Sequence, residues 1–168
     1  EAARWLGEAV GVPSYLTIQI ESTVESGCVI DGVRLSGALG NAGALAHLNV
    51  EPGGKPCRCG AHGCLESYVS STALEAELNR PLGRATSPII DRTGIMLGRA
   101  IASACAVLDV STVFLSGNVI DVLGDPMLDA MRRELANRSR LRNLADLRVV
   151  EPHERIVPLI AAASLALR

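Results

Sequence analysis

The sequence predicts an α/β fold, on three observations. Strand-like and helical patterns alternate along the chain, an antiparallel hairpin turns at Asp31-Gly32, and a long helical pattern rich in small residues leads into a short buried strand.

Each element has its own signal. Residues 1–10, "EAARWLGEAV", place Ala2, Leu6, Ala9 and Val10 on one helical face without a capping residue ahead of them, as if cut from something longer. "SYLTIQI" alternates Tyr15, Thr17 and Gln19 against Leu16, Ile18 and Ile20, and "GCVIDGVRLSG" continues as a hairpin, so two or three antiparallel strands are expected. "GALGNAGALAHLNVE" is small and Gly-rich up to Ala44 and strand-like over 45–50, after which Pro52, Gly53, Gly54 and Pro56 forbid regular structure. A helical pattern covers 65–78 and is broken by Pro81, Gly83 and Pro88. Over 89–108, Ile90, Gly94, Leu97, Gly98, Ile101, Cys105 and Leu108 share one face, marking a central helix whose glycines allow close approach to a neighbour. A buried strand ending at Ser116-Gly117-Asn118, a helix over 126–137, a strand over 147–150 and a closing helix over 157–167 complete the pattern.

Composition bounds the function. With 168 residues, 48% of them hydrophobic and 20% charged, the chain can form one domain around a substantial core. A net charge of −2 and 2% aromatic residues leave this segment without the phosphate-neutralising and base-stacking groups of a nucleic-acid binder. No apolar run approaches the roughly 18–20 residues of a membrane span, and no signal-peptide order opens the chain, so a cytoplasmic protein is expected. Arg132, Arg133, Arg138, Arg140 and Arg142 form a basic stretch read as a solvated surface favourable to a helix C-terminus.

Five cysteines, an odd and unevenly spaced number, make a poor disulfide framework. Cys28 and Cys105 stand alone among apolar neighbours as small core residues. Cys57, Cys59 and Cys64 crowd into "PCRCGAHGC" behind His47, a spacing of H-x9-C-x-C-x4-C. One imidazole and three thiolates suit a closed tetrahedral zinc shell, and Gly60 and Gly63 let the backbone fold back between the last two cysteines. The alternative, three reduced thiols in a surface loop, would be a redox liability. His62 is a substitute ligand candidate, read instead as a solvated turn residue.

"HLNVEPGGKPCRCGAHGCLESYVS" closely resembles the zinc motif of the ROK family, which groups bacterial sugar kinases with sugar-responsive transcriptional repressors. The resemblance extends more loosely through "VIDGVRLSGALGNAG", "GRAIASACAVLDVSTVFLSGNV" and "PLIAAASLAL". It implies an actin-like ATPase, or ribonuclease H-like, lobe: a mixed sheet flanked by helices, with a zinc-binding loop. Residues 1–168 would then be a single C-terminal lobe, with the family's catalytic aspartate falling ahead of Glu1, together with the N-terminal lobe and any helix-turn-helix.

Departures from the family pattern decide the functional expectation. The family's Gly-rich phosphate hairpin is matched here by "ESTVESG", in which Gly27 is retained while Glu21 and Glu25 place carboxylates toward a triphosphate. At an effective dielectric of about 20, each close like-charge pair costs a few kcal/mol, so ATP is not expected to bind in the family's manner. The hairpin is itself read as a plain surface turn with solvated glutamates. The family's Glu-x-Gly-His sugar tetrad reads Ala44-Leu45-Ala46-His47, losing one carboxylate, while His47 and Glu66 remain as effector-binding candidates. Metal ligation alone equally explains His47, and a carboxylate in the first turn of a helix equally explains Glu66. Ser116-Gly117-Asn118, where family kinases place glycines beside the adenosine, is read as a strand-to-helix turn, with Asn118 a candidate cap.

The resemblance and its departures together imply the effector-binding and dimerisation lobe of a sugar-responsive ROK regulator. It is expected to hold structural Zn2+ and no catalytic residue, to act as a homodimer, to take a sugar effector, and to reach DNA through a separate N-terminal domain. The alternatives are the same lobe of a ROK sugar kinase, or a zinc-stabilised dimerisation module that binds no ligand.

Overall fold

A computed structural model of the chain describes residues 11–138 and 147–150. The helical pattern of residues 1–10, the basic positions Arg140 and Arg142, and the closing helix over 157–167 lie outside the described residues.

Three strands come first among the described residues: β1 (Tyr15–Ile20), β2 (Val24–Ile30) and β3 (Val33–Arg34). The β2–β3 turn has positive φ at both Asp31 (50°) and Gly32 (74°), the two-residue conformation whose twist suits an antiparallel hairpin. Two short helices, α1 (Glu66–Val69) and α2 (Ser71–Leu78), precede the long α3 (Ser87–Leu108). Strand β4 (Thr112–Ser116), helix α4 (Asn118–Arg138) and strand β5 (Arg148–Val150) follow.

The sheet order is β3-β2-β1-β4-β5, with β1 pairing antiparallel to β2 and parallel to β4. The predicted α/β class is therefore a mixed sheet. Leu16, Ile18 and Ile20 of β1 are fully buried in the main core with Leu97 and Ile101 of α3 and Met127 of α4. The opposite face of the same strand is also covered, because Tyr15 packs edge-on to Phe114 with ring centroids 5.3 Å apart. Cys28 and Cys105 are both buried, in keeping with their core reading, and burial pushes both thiols up, Cys105 to about 12 with a further push from Cys28.

Helices α3 and α4 pack backbone to backbone where α3 carries Gly94 and Gly98. A Cβ at Gly94 would run into the Met127 carbonyl oxygen and lie 2.8 Å from the Ala130 Cβ. The predicted close approach thus has α4 as its partner.

Three local readings change. Residues 45–50 do not form a strand: Leu45–His47 is a single 3-10 turn. The Ser26 hydroxyl donates to the Gly43 carbonyl (2.5 Å) and accepts from the Leu45 amide (2.9 Å), taking those backbone groups out of any ladder. The helix expected over 65–78 is two helices, because Ser70 is extended (φ −67°, ψ 145°) and its hydroxyl caps the second one at the Ala73 amide (3.2 Å). Finally, α4 begins at Asn118, eight residues before the expected start at Pro126, and kinks at Gly124 (φ 55°, ψ −153°) ahead of Pro126. That first part, Asn-Val-Ile-Asp-Val-Leu, is short and β-branched and is cut off by Gly124 and Pro126, so periodicity does not mark it as a helix.

Candidate metal centre and ligand cavity

The cysteine loop is held by short backbone bridges instead of a hydrophobic core of its own. Val50 donates to the Gly63 carbonyl (2.8 Å), Leu65 to Leu48 (2.9 Å), Cys57 to Ala61 (2.8 Å) and Gly63 to Lys55 (2.8 Å). Gly63 makes this possible: its φ is +81°, and a Cβ there would strike the Glu51 carbonyl oxygen. The Tyr68 hydroxyl accepts from the Lys55 amide (2.8 Å), anchoring the loop to α1.

That folding brings together all four residues singled out by spacing. The ligand atoms of His47, Cys57, Cys59 and Cys64 all lie within 4.8 Å of one another. Cys57 Sγ is 3.6 Å from His47 Nδ1, and Cys59 Sγ is 3.7 Å from Cys64 Sγ. Metal–sulfur bonds of about 2.3 Å at a tetrahedral angle separate two sulfurs by about 3.8 Å, so the residues present fit a zinc-sized ion. The 3-10 turn delivers His47, and the bridges between Asn49 and Cys64 and between Pro56 and His62 set the thiols facing it. His62 is exposed and stands outside the four-residue cluster.

Electrostatics within the cluster suit a cation. Burial pushes Cys57 up, but hydrogen bonds from the Cys59 backbone and thiol, Ser67 and His47 outweigh it and lower the thiol to about 6. Cys64 is pushed up to about 12, by burial first and then by its hydrogen bonds and repulsion with Cys57 and Cys59. One sulfur of the group ionises readily and another resists; a divalent cation between them would let all of them ionise together.

Beside the cluster lies a cavity of about 650 Å3, whose lining includes Glu25, Asn41, His47, Arg58 and Glu66. The two residues expected to meet an effector, His47 and Glu66, therefore share one wall. Glu66 is the first residue of α1 and is buried, with its Oε1 accepting from Arg58 Nε at 2.8 Å. The first-turn position and the cavity position thus coincide. Arg58 is a cavity residue that spacing did not single out; its only sequence signal is its place between two cysteines.

The 21–27 hairpin differs from a plain solvated turn. Glu21 Oε1 accepts from the Asn118 amide (3.2 Å) at the start of α4, and the Glu21 carbonyl accepts from the Ser71 amide (2.8 Å). A helix N-terminus attracts a carboxylate, which is why this side chain turns toward the start of α4. Glu25 is half-buried and lines the cavity. Ser116-Gly117-Asn118 is a strand-to-helix junction, with the Gly117 carbonyl accepting from the Ile120 and Asp121 amides and Asn118 the first residue of α4.

The mixed sheet, the helices and the cysteine loop define the chain as a member of the ROK family, whose model matches residues 2–168. Among curated relatives, an N-acetylmannosamine kinase of Yersinia pestis is 27% identical over 173 residues, covering 92% of this chain and 58% of the relative. A glucokinase of Halalkalibacterium halodurans is 41% identical over 71 residues, 42% of this chain and 22% of that protein. Among solved structures, a ROK hexokinase from Thermus thermophilus superposes with a TM-score of 0.77 at 26% identity, covering 98% of this chain and 61% of that one. A ROK family transcriptional regulator, a homolog of the E. coli MLC protein, gives 0.78 at 26% identity, covering 99% and 50%. The chain thus spans between a fifth and three fifths of the length of these relatives.

Proposed function

We propose that this chain is the C-terminal, effector-binding and dimerisation lobe of a sugar-responsive ROK transcriptional regulator, without phosphoryl-transfer activity. The observation that carries this reading is the hairpin: Glu21 bonds to the first amide of α4 and Glu25 faces the cavity, so an incoming triphosphate would meet carboxylates in place of free amides. His47, Cys57, Cys59 and Cys64 would hold a structural Zn2+, and His47 and Glu66 would meet the hydroxyls of a sugar effector. A metal on His47 Nδ1 would fix the ring and sharpen its other nitrogen as a hydrogen-bonding group toward the cavity. In this reading the effector biases the conformation of a homodimer, and DNA is read by a helix-turn-helix domain N-terminal to the lobe.

A second reading, the matching lobe of a sugar kinase, is supported by the similarity to the N-acetylmannosamine kinase along 92% of the chain. The two separate in one experiment on the full-length protein. Calorimetric titration with glucose, mannose and N-acetylmannosamine is expected to show binding by at least one sugar in the millimolar range or tighter. The same sugars with Mg-ATP are expected to yield no ADP above the sugar-free rate; sugar-dependent ADP release would overturn the regulator reading in favour of the kinase.

A further inference from the structure

A second cavity, of about 560 Å3, lies on the far side of Arg58 from the one described above. Three residues line both cavities: Thr23, Arg58 and Glu66. The Arg58–Glu66 ion pair is therefore a common wall, and each space is by itself of the size that small-molecule sites occupy, about 300–1,000 Å3.

The two sides differ in chemistry. The first side carries Thr17, Ser26, Asn41, Glu25 and the His47 imidazole, a set rich in groups that meet sugar hydroxyls. The second is lined by Pro56 and by Ala73 and Ala76 of α2, with the hydroxyls of Ser22, Thr23 and Thr72 among its polar groups. Its charged side chains already have partners: Lys55 with Glu77, and Arg58 with Glu66. An ionic group entering there would find no uncommitted counter-charge among the described residues, whereas an uncharged group would find methyl and methylene surface.

The wall between them is hinged on one side. The peptide of Arg58 is fixed between Cys57 and Cys59, but its side chain is 66% exposed and holds Glu66 through Nε, while Glu66 itself is only 8% exposed. An arginine this exposed has room to rotate away from Glu66 with the loop backbone in place.

Building on the effector reading above, we propose that the second cavity is a subsite for an uncharged substituent of the sugar, such as the aglycone of a short glycoside. Arg58 is the partition that this substituent displaces. The ring occupies the polar side, the substituent lies against Ala73, Ala76 and Pro56, and Arg58 sets which sugars fit.

The test is calorimetry on the Zn2+-loaded full-length protein with glucose and mannose, each compared with its methyl and butyl glycosides. At least one butyl glycoside is expected to bind ten-fold or more tightly than its parent sugar, with the methyl glycoside between them. Ala76→Phe, which fills the second cavity from an exposed helix position, is expected to bring that ratio close to one. Arg58→Ala, which removes the partition, is expected to raise it further. Circular dichroism and metal content report whether each variant is folded. If parent sugars bind but the butyl glycosides bind no more tightly, or if Ala76→Phe leaves the ratio intact, the subsite is overturned while the effector site stands. If neither sugars nor glycosides bind at 10 mM, the effector site and the subsite fail together.

Discussion

Glu77 shows how much one side chain can hold in this protein. Its carboxylate accepts from both terminal nitrogens of Arg92 (2.8 and 2.5 Å) and from Lys55 Nζ (2.5 Å), and both cations lie over the Tyr68 ring, at 5.9 and 5.1 Å from its centroid. Hydrogen bonds from Arg92, outweighing burial and joined by Lys55, hold the carboxyl at about 2. Because the folded value lies below the ordinary one, this contribution to stability is fully present above about pH 4.5 and is lost as pH falls toward about 2. Glu77→Gln is expected to cost about 1–2 kcal/mol near neutral pH, allowing for the partial exposure of the pair. Urea denaturation across pH should show the wild-type advantage shrinking below pH 4; a difference independent of pH would refute the charge pairing. Release in acid of a metal held by the cysteine cluster would affect both proteins alike and cancel from the comparison.

At the scale of elements, the contact between α3 and α4 depends on two missing side chains. Replacing Gly94 by alanine improves helix propensity by about 1 kcal/mol, yet the new methyl meets the Met127 carbonyl and the Ala130 Cβ, which are backbone or backbone-fixed atoms. Gly94→Ala is therefore expected to be net destabilising by about 1–3 kcal/mol, whereas Gly83→Ala, in open space, should be within about 0.5 kcal/mol of wild type. Thermal melts of the two variants side by side check this, and equal melts would show that the helices give way. Surface pairs on the same helices contribute less: Arg132 with Asp129 (2.9 Å) and Arg133 with Asp91 (3.4 Å) are exposed. Among the described residues of the basic stretch, Arg132 and Arg133 thus lie on a solvated face.

For the molecule as a whole, the cysteine loop joins parts distant in sequence. It touches α1 through Tyr68, while Arg99 of α3 bonds to the Val50 carbonyl (3.1 Å) and pairs with Glu51. A four-ligand zinc site contributes on the order of 10 kcal/mol in small domains, and even half of that would move the melting midpoint by roughly 10 °C or more. Cys59→Ser, or chelation of the wild type, is accordingly expected to release metal and lower the melting temperature by at least that much. Metal affinity should also weaken as pH falls, since the thiols and imidazole bind deprotonated. An unchanged melting temperature in Cys59→Ser would overturn the zinc assignment.

Periodicity and spacing made the α/β class, the β2–β3 turn, the long α3 and the four metal-ligand candidates legible, because each depends on local backbone preference or on side-chain chemistry that survives in a linear string. Residues 45–50 and 65–78 depart from their periodicity for one reason: whether a short apolar stretch pairs, turns or splits depends on hydroxyls such as Ser26 and Ser70 that bond to backbone nearby in space. The bond of Glu21 to the first amide of α4, the burial of Glu66 under Arg58 and the shared wall of two cavities were beyond the sequence altogether. They require the α4 N-terminus, the hairpin and the cysteine loop to converge. The sequence by itself determined which chemistry this protein carries; tertiary structure alone decided which of those groups face one another, since charge pairing and enclosure depend on distances that chain order does not contain.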